Sequence, residues 1–373
     1  MSKDSAKTFL DYFDEIEDPR SEKGKLYSVS EIFLVVICGL ICGTESWRDF
    51  VIFGNEKLEF LKEYLPFPHG IPSKNTFCRF FAALKPEQFK ICFVKWVSSL
   101  ALIKNEIIAI DGKRLCKSFD KANEKSAIHM VSAFASGAKL VLAQQKVDDK
   151  SNEITAIPKL LKLLNLKGNI VTLDAMGTQK EVATEIIKSE GDYILALKGN
   201  HSTLHEDVTD YFTDNIGLAG SDIKVAKEVD CGHGRIEVRK CYVTEKIDWL
   251  GKLKFPGMRS IVCIDSERTI GTVVSNERRF YISSLAANPE KINAAIRGHW
   301  AVENCLHWSL DVTFNEDNSR IRSGNAAENI AMARHTALNL LQQAQPKFKK
   351  ISLKALRKKS GWGNATLKAV LEQ

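Results

Sequence analysis

Apolar residues recur at helical spacing over roughly the first hundred positions. Phe9, Leu10, Phe13 and Ile16 begin the pattern, and Ser28–Cys42 carries a nearly unbroken apolar run from Ile32. Trp47–Tyr64 is more amphipathic. Pro66, Pro68, Gly70 and Pro72 then break the period. It resumes over Ser73–Leu84, with Phe77, Phe80 and Phe81 on one face, and over Gln88–Leu102. The spacing predicts a helical N-terminal domain over residues 1–104.

From Glu106 the period shortens. Ile107–Asp111, His129–Ala135 and Lys139–Val147 read as strands, the last two joined by a Ser136-Gly137 hairpin. Helix Glu153–Leu164, strand Asn169–Asp174, helix Gln179–Ser189 and strand Asp192–Leu197 follow. The order β-β-β-α-β-α-β predicts an α/β domain, a mixed sheet covered by helices, over residues 105–345. Five strand-like segments interrupt it at about 200–286: Lys224–Val229, Ile236–Val243, Arg259–Asp265, Thr269–Val274 and Arg279–Ser284. Gly232-His233-Gly234 looks like the turn between the first two. Helix returns at Asn288 as N-cap, with Pro289 first and Glu290 in the first turn. It is expected to run to about Ser309, with Gly298 inside it allowing close approach of something bulky. A last amphipathic helix is expected over Ala326–Gln343.

Net charge changes the picture at one end. The formal charge is +7, and residues 344–373 supply eight cations against one acid, Glu372. The basic C-terminal tail, 346–373, therefore reads either as a polyanion binder or as a solvated tail. The 11-residue apolar stretch Ile32–Cys42 is too short to span a bilayer, so no membrane is expected. The N-terminus is polar and acidic, unlike a signal peptide. Nine cysteines without a CxxC pair read as reduced thiols of a cytoplasmic protein.

Three acids carry the chemistry. Asp111 and Asp174 each end an apolar strand, and Glu303 lies on the helix after the β-rich segment. Crowding bare carboxylates is costly through desolvation and repulsion, and a divalent cation relieves it. Such a site fits metal-assisted phosphoryl transfer. Helical spacing puts His299, Glu303 and His307 in one row, with Trp300 and Asn304 beside them. Zinc on the two histidines would lack a well-spaced third soft ligand.

The strand order, with acids at the ends of the first and fourth strands, resembles ribonuclease-H-like domains. Ala109-Ile110-Asp111-Gly112-Lys113, Ser151 to Pro158, Thr172-Leu173-Asp174-Ala175-Met176-Gly177, Leu197-Lys198-Gly199-Asn200, His299 to Asn304 and His307 to Val312 together resemble the H-repeat-associated proteins of Rhs elements. These are a bacterial insertion-sequence transposase family of the DDE type. Asn315-Glu316-Asp317 and Arg322 to Glu328 fit as well, and the likeness runs from about Phe9 to Leu341.

The resemblance implies a ribonuclease-H-like core with a β-rich insertion. It also implies a triad of Asp111, Asp174 and Glu303 holding two Mg²⁺ ions, with Mn²⁺ as an alternative. It implies DNA as partner, both element ends and target, a homodimer when DNA-bound, and a bacterial cytoplasmic, nucleoid-associated location. Contacts to DNA are expected from Lys113, Arg114, Lys198, Asn200, His233, Arg235, Arg297, His299, Trp300, Asn304 and His307. Two departures stand out. Relatives often read Asp-Gly-Lys-Thr-Leu-Arg where this chain has Asp111-Gly112-Lys113-Arg114-Leu115-Cys116, and Leu310 stands where some carry a lysine seven residues after the glutamate. Two further readings are a domesticated or inactive DNA-binding relative and a hydrolytic nuclease that joins no strands.

Overall fold

In the computed structural model the described residues are 8–22, 25–100, 103–119, 126–148, 151–232 and 234–373. The N-terminal part is helical: α1 (Phe9–Phe13), α2 (Val29–Cys42), α3 (Trp47–Glu56), α4 (Leu58–Leu61), α5 (Lys74–Ala83) and α6 (Pro86–Leu100). Ser28 caps α2, its hydroxyl accepting from the Glu31 N–H while the Glu31 carboxylate accepts from the Ser28 N–H. Phe33 on α2 packs against Phe13, Phe80, Phe81 and Phe89, with ring centroids 4.8–5.9 Å apart. Each fully buried ring contributes roughly 1.5–3 kcal/mol. The helix expected over Trp47–Tyr64 is broken at Lys57, whose backbone leaves the helical region. Among the described residues no single helix is long and apolar enough to cross a membrane.

A nine-stranded mixed sheet follows. Its strands are β1 (Ile107–Arg114), β2 (His129–Ala135), β3 (Leu140–Lys146), β4 (Ile170–Leu173), β5 (Asp192–Leu197), β6 (Lys224–Gly232), β7 (Arg235–Thr244), β8 (Ser260–Ile270) and β9 (Val273–Ser283). They lie in the order β3-β2-β1-β4-β5-β9-β8-β7-β6. β1, β4 and β5 run parallel, and every other pairing is antiparallel. Helices α7 (Glu153–Leu161) and α8 (Lys180–Lys188) make the crossovers into β4 and β5. The expected strand over Thr269–Val274 does not stand alone. It is the tip of one long β8–β9 hairpin, turned at Gly271 with φ +57°. The segment from 200 also starts with a helix, α9 (Ser202–Asn215), before its strands. Those strands continue the central sheet, because β9 pairs directly with β5.

Helix α10 (Pro289–His299) starts as expected: the Asn288 side chain accepts from the Lys291 N–H at 2.9 Å, with Pro289 in the first turn. Gly298 lets it lie on β1. A Cβ there would sit 2.6 Å from Ile107 Cδ1, and the Ser136 hydroxyl donates to the Gly298 carbonyl. The α-helix ends at His299, ten residues before the expected end. Two π-helical turns, Val302–His307 and Ser309–Thr313, replace it. Spacing explains the change. Val302, Leu306, Leu310 and Phe314 are all buried, and they fall every fourth residue. On a 3.6-residue helix that stripe would rotate by about 40° per step. Wider turns offset that drift, and they keep His299, Glu303, His307 and Asp311 in a row on the adjacent face.

Helix α11 (Ala326–Ala344) is buried along nearly its whole length and joins the helical part to the sheet. Asn339 exchanges two hydrogen bonds with Val141 of β3, each 2.9 Å. Asn329 donates to the Phe81 and Leu84 carbonyls at the C-terminal end of α5. The basic C-terminal segment is folded, which replaces the reading of a solvated tail. Its helices α12 (Leu353–Trp362) and α13 (Asn364–Leu371) bury Leu356, Leu367 and Val370. Arg357 reaches back to donate to the carbonyls of Leu40 and Thr313.

Gly324 tests the joint. It has φ +52°, and a Cβ would lie 2.6 Å from the Ala82 backbone oxygen. Gly324→Ala should lose about 2–4 kcal/mol of stability, read by denaturant titration; an unchanged midpoint would contradict this packing.

Candidate active site

Parallel pairing builds the first half of the site. β1 and β4 run in register from Ile107 beside Ile170 to Ile110 beside Leu173. The next residues are Asp111 and Asp174, so both carboxylates emerge at the same level of adjacent strands. β1 continues past Asp111 to Arg114 against β2, whereas β4 stops at Leu173. Asp111, Asp174, Lys198, His299, Trp300 and Glu303 line one cavity of about 320 Å³. Burial raises the Asp111 carboxyl to about 7, and the Glu303, Asp174 and Glu153 carboxylates add to the rise. Asp174 is exposed and accepts from the Gly177 N–H at 3.1 Å.

The π-helical turns supply the other half. His307 Nδ1 lies 3.5 Å from Asp111 Oδ2 and 3.9 Å from Glu303 Oε2. Donor atoms of these three residues all fall within 4.8 Å of one another, a grouping able to hold a metal ion. Burial pushes the His307 ring down to about 4, with the Lys113 ammonium adding to the effect. His299 Nδ1 is engaged by the Thr172 hydroxyl at 3.0 Å. Beside Asp111 stands a pair that sequence reasoning gave no role: Glu153 Oε1 and His129 Nε2, 2.8 Å apart. Gly112 makes room for it, since a Cβ there would lie 2.1 Å from that Glu153 oxygen. The available signal was an acid directly after Asn152, whose side chain caps α7 by accepting from the Ile154 N–H.

The expected cations divide into two groups. Lys113 is spent within the protein, its ammonium shared among Asp311, Glu316 and Asp317. Glu316 in turn holds the buried Arg334. Arg297 is likewise paired, with Asp230 at 2.9 Å and Glu228 at 3.5 Å. Lys198 stays exposed at the cavity, and Arg114 is exposed at the end of β1. Asn200 ties the end of β5 to that of β4 by donating to the Ala175 carbonyl. Arg235, Arg297, Trp300 and Asn304 line a second groove of about 670 Å³ that shares Trp300 with the first cavity. There the Arg279 guanidinium lies 5.1 Å from the Trp300 ring centroid. Leu310 is buried and offers the site no cation. His233 lies outside the described residues.

Residues 103–340 match the family model described as "Transposase DDE domain", and residues 10–97 match the model described as "DDE_Tnp_1-associated". The chain is 39% identical to "H repeat-associated putative transposase YhhI" of Escherichia coli (strain K12), over 98% of each chain. It is 40% identical to "Putative transposase YncI" of Escherichia coli O157:H7, over 98% of this chain and 95% of the relative.

Gly112→Ala should cost about 1–3 kcal/mol by displacing Glu153. Part should return in a Gly112→Ala, Glu153→Ala double variant; full additivity would refute the clash. Acid sensitivity follows from His335, which is buried behind the site. Burial pushes its ring down to about 4, so an unfolded chain takes up a proton that the folded one refuses. Stability should therefore fall as pH drops from about 6.5 towards 4, by roughly 2–3 kcal/mol for this group. Urea titrations at pH 7 and 5 should show a smaller drop in His335→Gln than in the wild type.

Proposed function

The chain belongs to the transposase DDE-domain family, among the H-repeat-associated proteins, and we propose that it cuts DNA at the ends of an insertion sequence and joins them to a target. The observation that carries this reading is the meeting of Asp111, Asp174 and Glu303 on one cavity, reached from two strands and a π-helical turn. A ribonuclease-H-like core is supported by the run β3-β2-β1-β4-β5, antiparallel on one side and parallel on the other. In this reading residues 1–104 form the associated helical domain. Residues 105–345 form the catalytic domain with its insertion at about 200–286, and 346–373 form a basic C-terminal segment.

DDE enzymes generally work with divalent ions, and the donor set here suits them: hard carboxylate oxygens crowded enough that burial and mutual repulsion raise Asp111. Asp111, Asp174 and Glu303 would hold two such ions, Mg²⁺ or in its place Mn²⁺. Bound, they would supply Lewis acidity to the attacking hydroxyl and to the leaving 3′-oxygen. The chain's own groups bind and orient the strand. Lys198 at the cavity neutralises a phosphate, and Arg114 extends that field along β1. Trp300 offers a face at the rim on which a base can stack, while Arg235 and Asn304 line the path of the strand in the adjoining groove. Asn200 and His299 act by holding the ends of β4 and β5. A homodimer, one copy for each element end, would bring the two cuts together.

Labelled duplexes carrying the DNA that flanks the gene test this reading. The wild type should nick at the element end with Mg²⁺ and then join that end to a second duplex. Asp111→Asn, Asp174→Asn and Glu303→Gln should each slow nicking by more than about a hundredfold with DNA binding retained. Full activity in any one variant removes that residue from the site, and nicking without joining makes the protein a hydrolytic nuclease.

A further inference from the structure

Resting on that reading, we propose that His307 is itself a ligand of the divalent cation, so that one position is built from two carboxylates and a ring nitrogen: Asp111, Glu303 and His307. The distances favour this over a simple His–Asp pair. His307 Nδ1 is 3.5 Å from Asp111 Oδ2, beyond the usual 3.2 Å limit for N–H···O bonds. Adjacent donors on an octahedral ion bound at about 2.1 Å lie about 3 Å apart, and opposite donors about 4.2 Å. The two separations from His307, 3.5 and 3.9 Å, fall between these limits, and all three donors lie within 4.8 Å of one another, so the side chains must draw in to close on one ion.

The rest of the ring is arranged accordingly. Only 9% of His307 is exposed, and its Nε2 is buried without a hydrogen-bond partner among the described residues. His307 also lines a small internal pocket with Gln144, fully buried and with both amide atoms unpartnered, and with His335, whose Nδ1 is unpartnered too. With the ring proton on that buried Nε2, the Nδ1 lone pair is free to face the two acids. His299, which lines the cavity together with His205, has its Nδ1 engaged by Thr172. A neutral nitrogen in place of a charged oxygen shifts preference away from Mg²⁺ and towards Mn²⁺ and later transition ions.

Pulsed electron paramagnetic resonance on the tag-free, full-length protein loaded with Mn²⁺, without DNA, tests the assignment. A ¹⁴N coupling of a directly bound nitrogen is expected in the wild type, replaced by a ¹⁵N signal when the histidines are ¹⁵N-labelled. The coupling should persist in His299→Gln and vanish in His307→Gln, whose Mn²⁺ affinity should fall about tenfold or more while Mg²⁺ affinity falls less. Where His307→Gln fails to fold, the labelled wild type shows that a histidine is bound, and persistence of its coupling in both His299→Gln and His205→Gln leaves His307 as the ligand. Mn²⁺ bound with no nitrogen coupling overturns the assignment and leaves an all-carboxylate site standing. Failure to bind Mn²⁺ at all overturns both this assignment and the metal-dependent reading beneath it.

Discussion

Two parallel strands meet in register at Ile110 and Leu173, and everything else at the site depends on that pairing. A slip of one residue would turn every side chain of a strand to the opposite face. It would separate Asp111 from Asp174 and bury one of them in the apolar layer. The register is secured from both sides. Ile108, Ala109 and Ile110 are buried, as is the whole of β4, and β2 fixes the other edge of β1 over seven residue pairs. The cost of adjacent carboxylates is thus met by apolar burial along the strands that carry them.

The third acid is secured differently. Lys113, two residues beyond Asp111, binds Asp311, Glu316 and Asp317, and Glu316 binds Arg334 of α11. This chain of charges fastens the π-helical turns onto β1 next to the cavity. Glu316 and Arg334 are almost fully buried, and removing one partner of such a pair leaves the other charged and dry, which costs several kcal/mol. The geometry around Glu303 is therefore maintained by residues that never reach the cavity.

Much of this was legible in the sequence, for identifiable reasons. The strand Asp192–Leu197 and the cap at Asn288 carry local signals, and the structure has them where the pattern puts them. Asp111 and Asp174 could be singled out because each closes an apolar strand, and Glu303 because it stands in a row of His and Trp on the helix after the β-rich segment. Other features were hidden because their cause is distant. Nothing near Lys113 announces that Glu316, 203 residues on, will claim its ammonium. Nothing near Arg297 announces Asp230 and Glu228. The helix expected to run to about Ser309 passes instead into π-helical turns after His299, which no local signal marks. Thr269–Val274 was misread because apolar residues continue across the Gly271 turn. Glu153 was overlooked because its importance comes from Gly112, which has no side chain to show it.

The pairing of β5 with β9 has a consequence for how the molecule comes into being. Leu197 lies beside Phe280, so the sheet cannot close until the intervening meander has been made. The turn bearing Glu303 follows later still. Contacts of such sequence separation form slowly, because the loop entropy must be lost before they reward it. A chain still emerging from the ribosome, or one truncated within the meander, carries Asp111 and Asp174 without the third acid. Such an incomplete polypeptide lacks the full set of groups proposed to cut DNA.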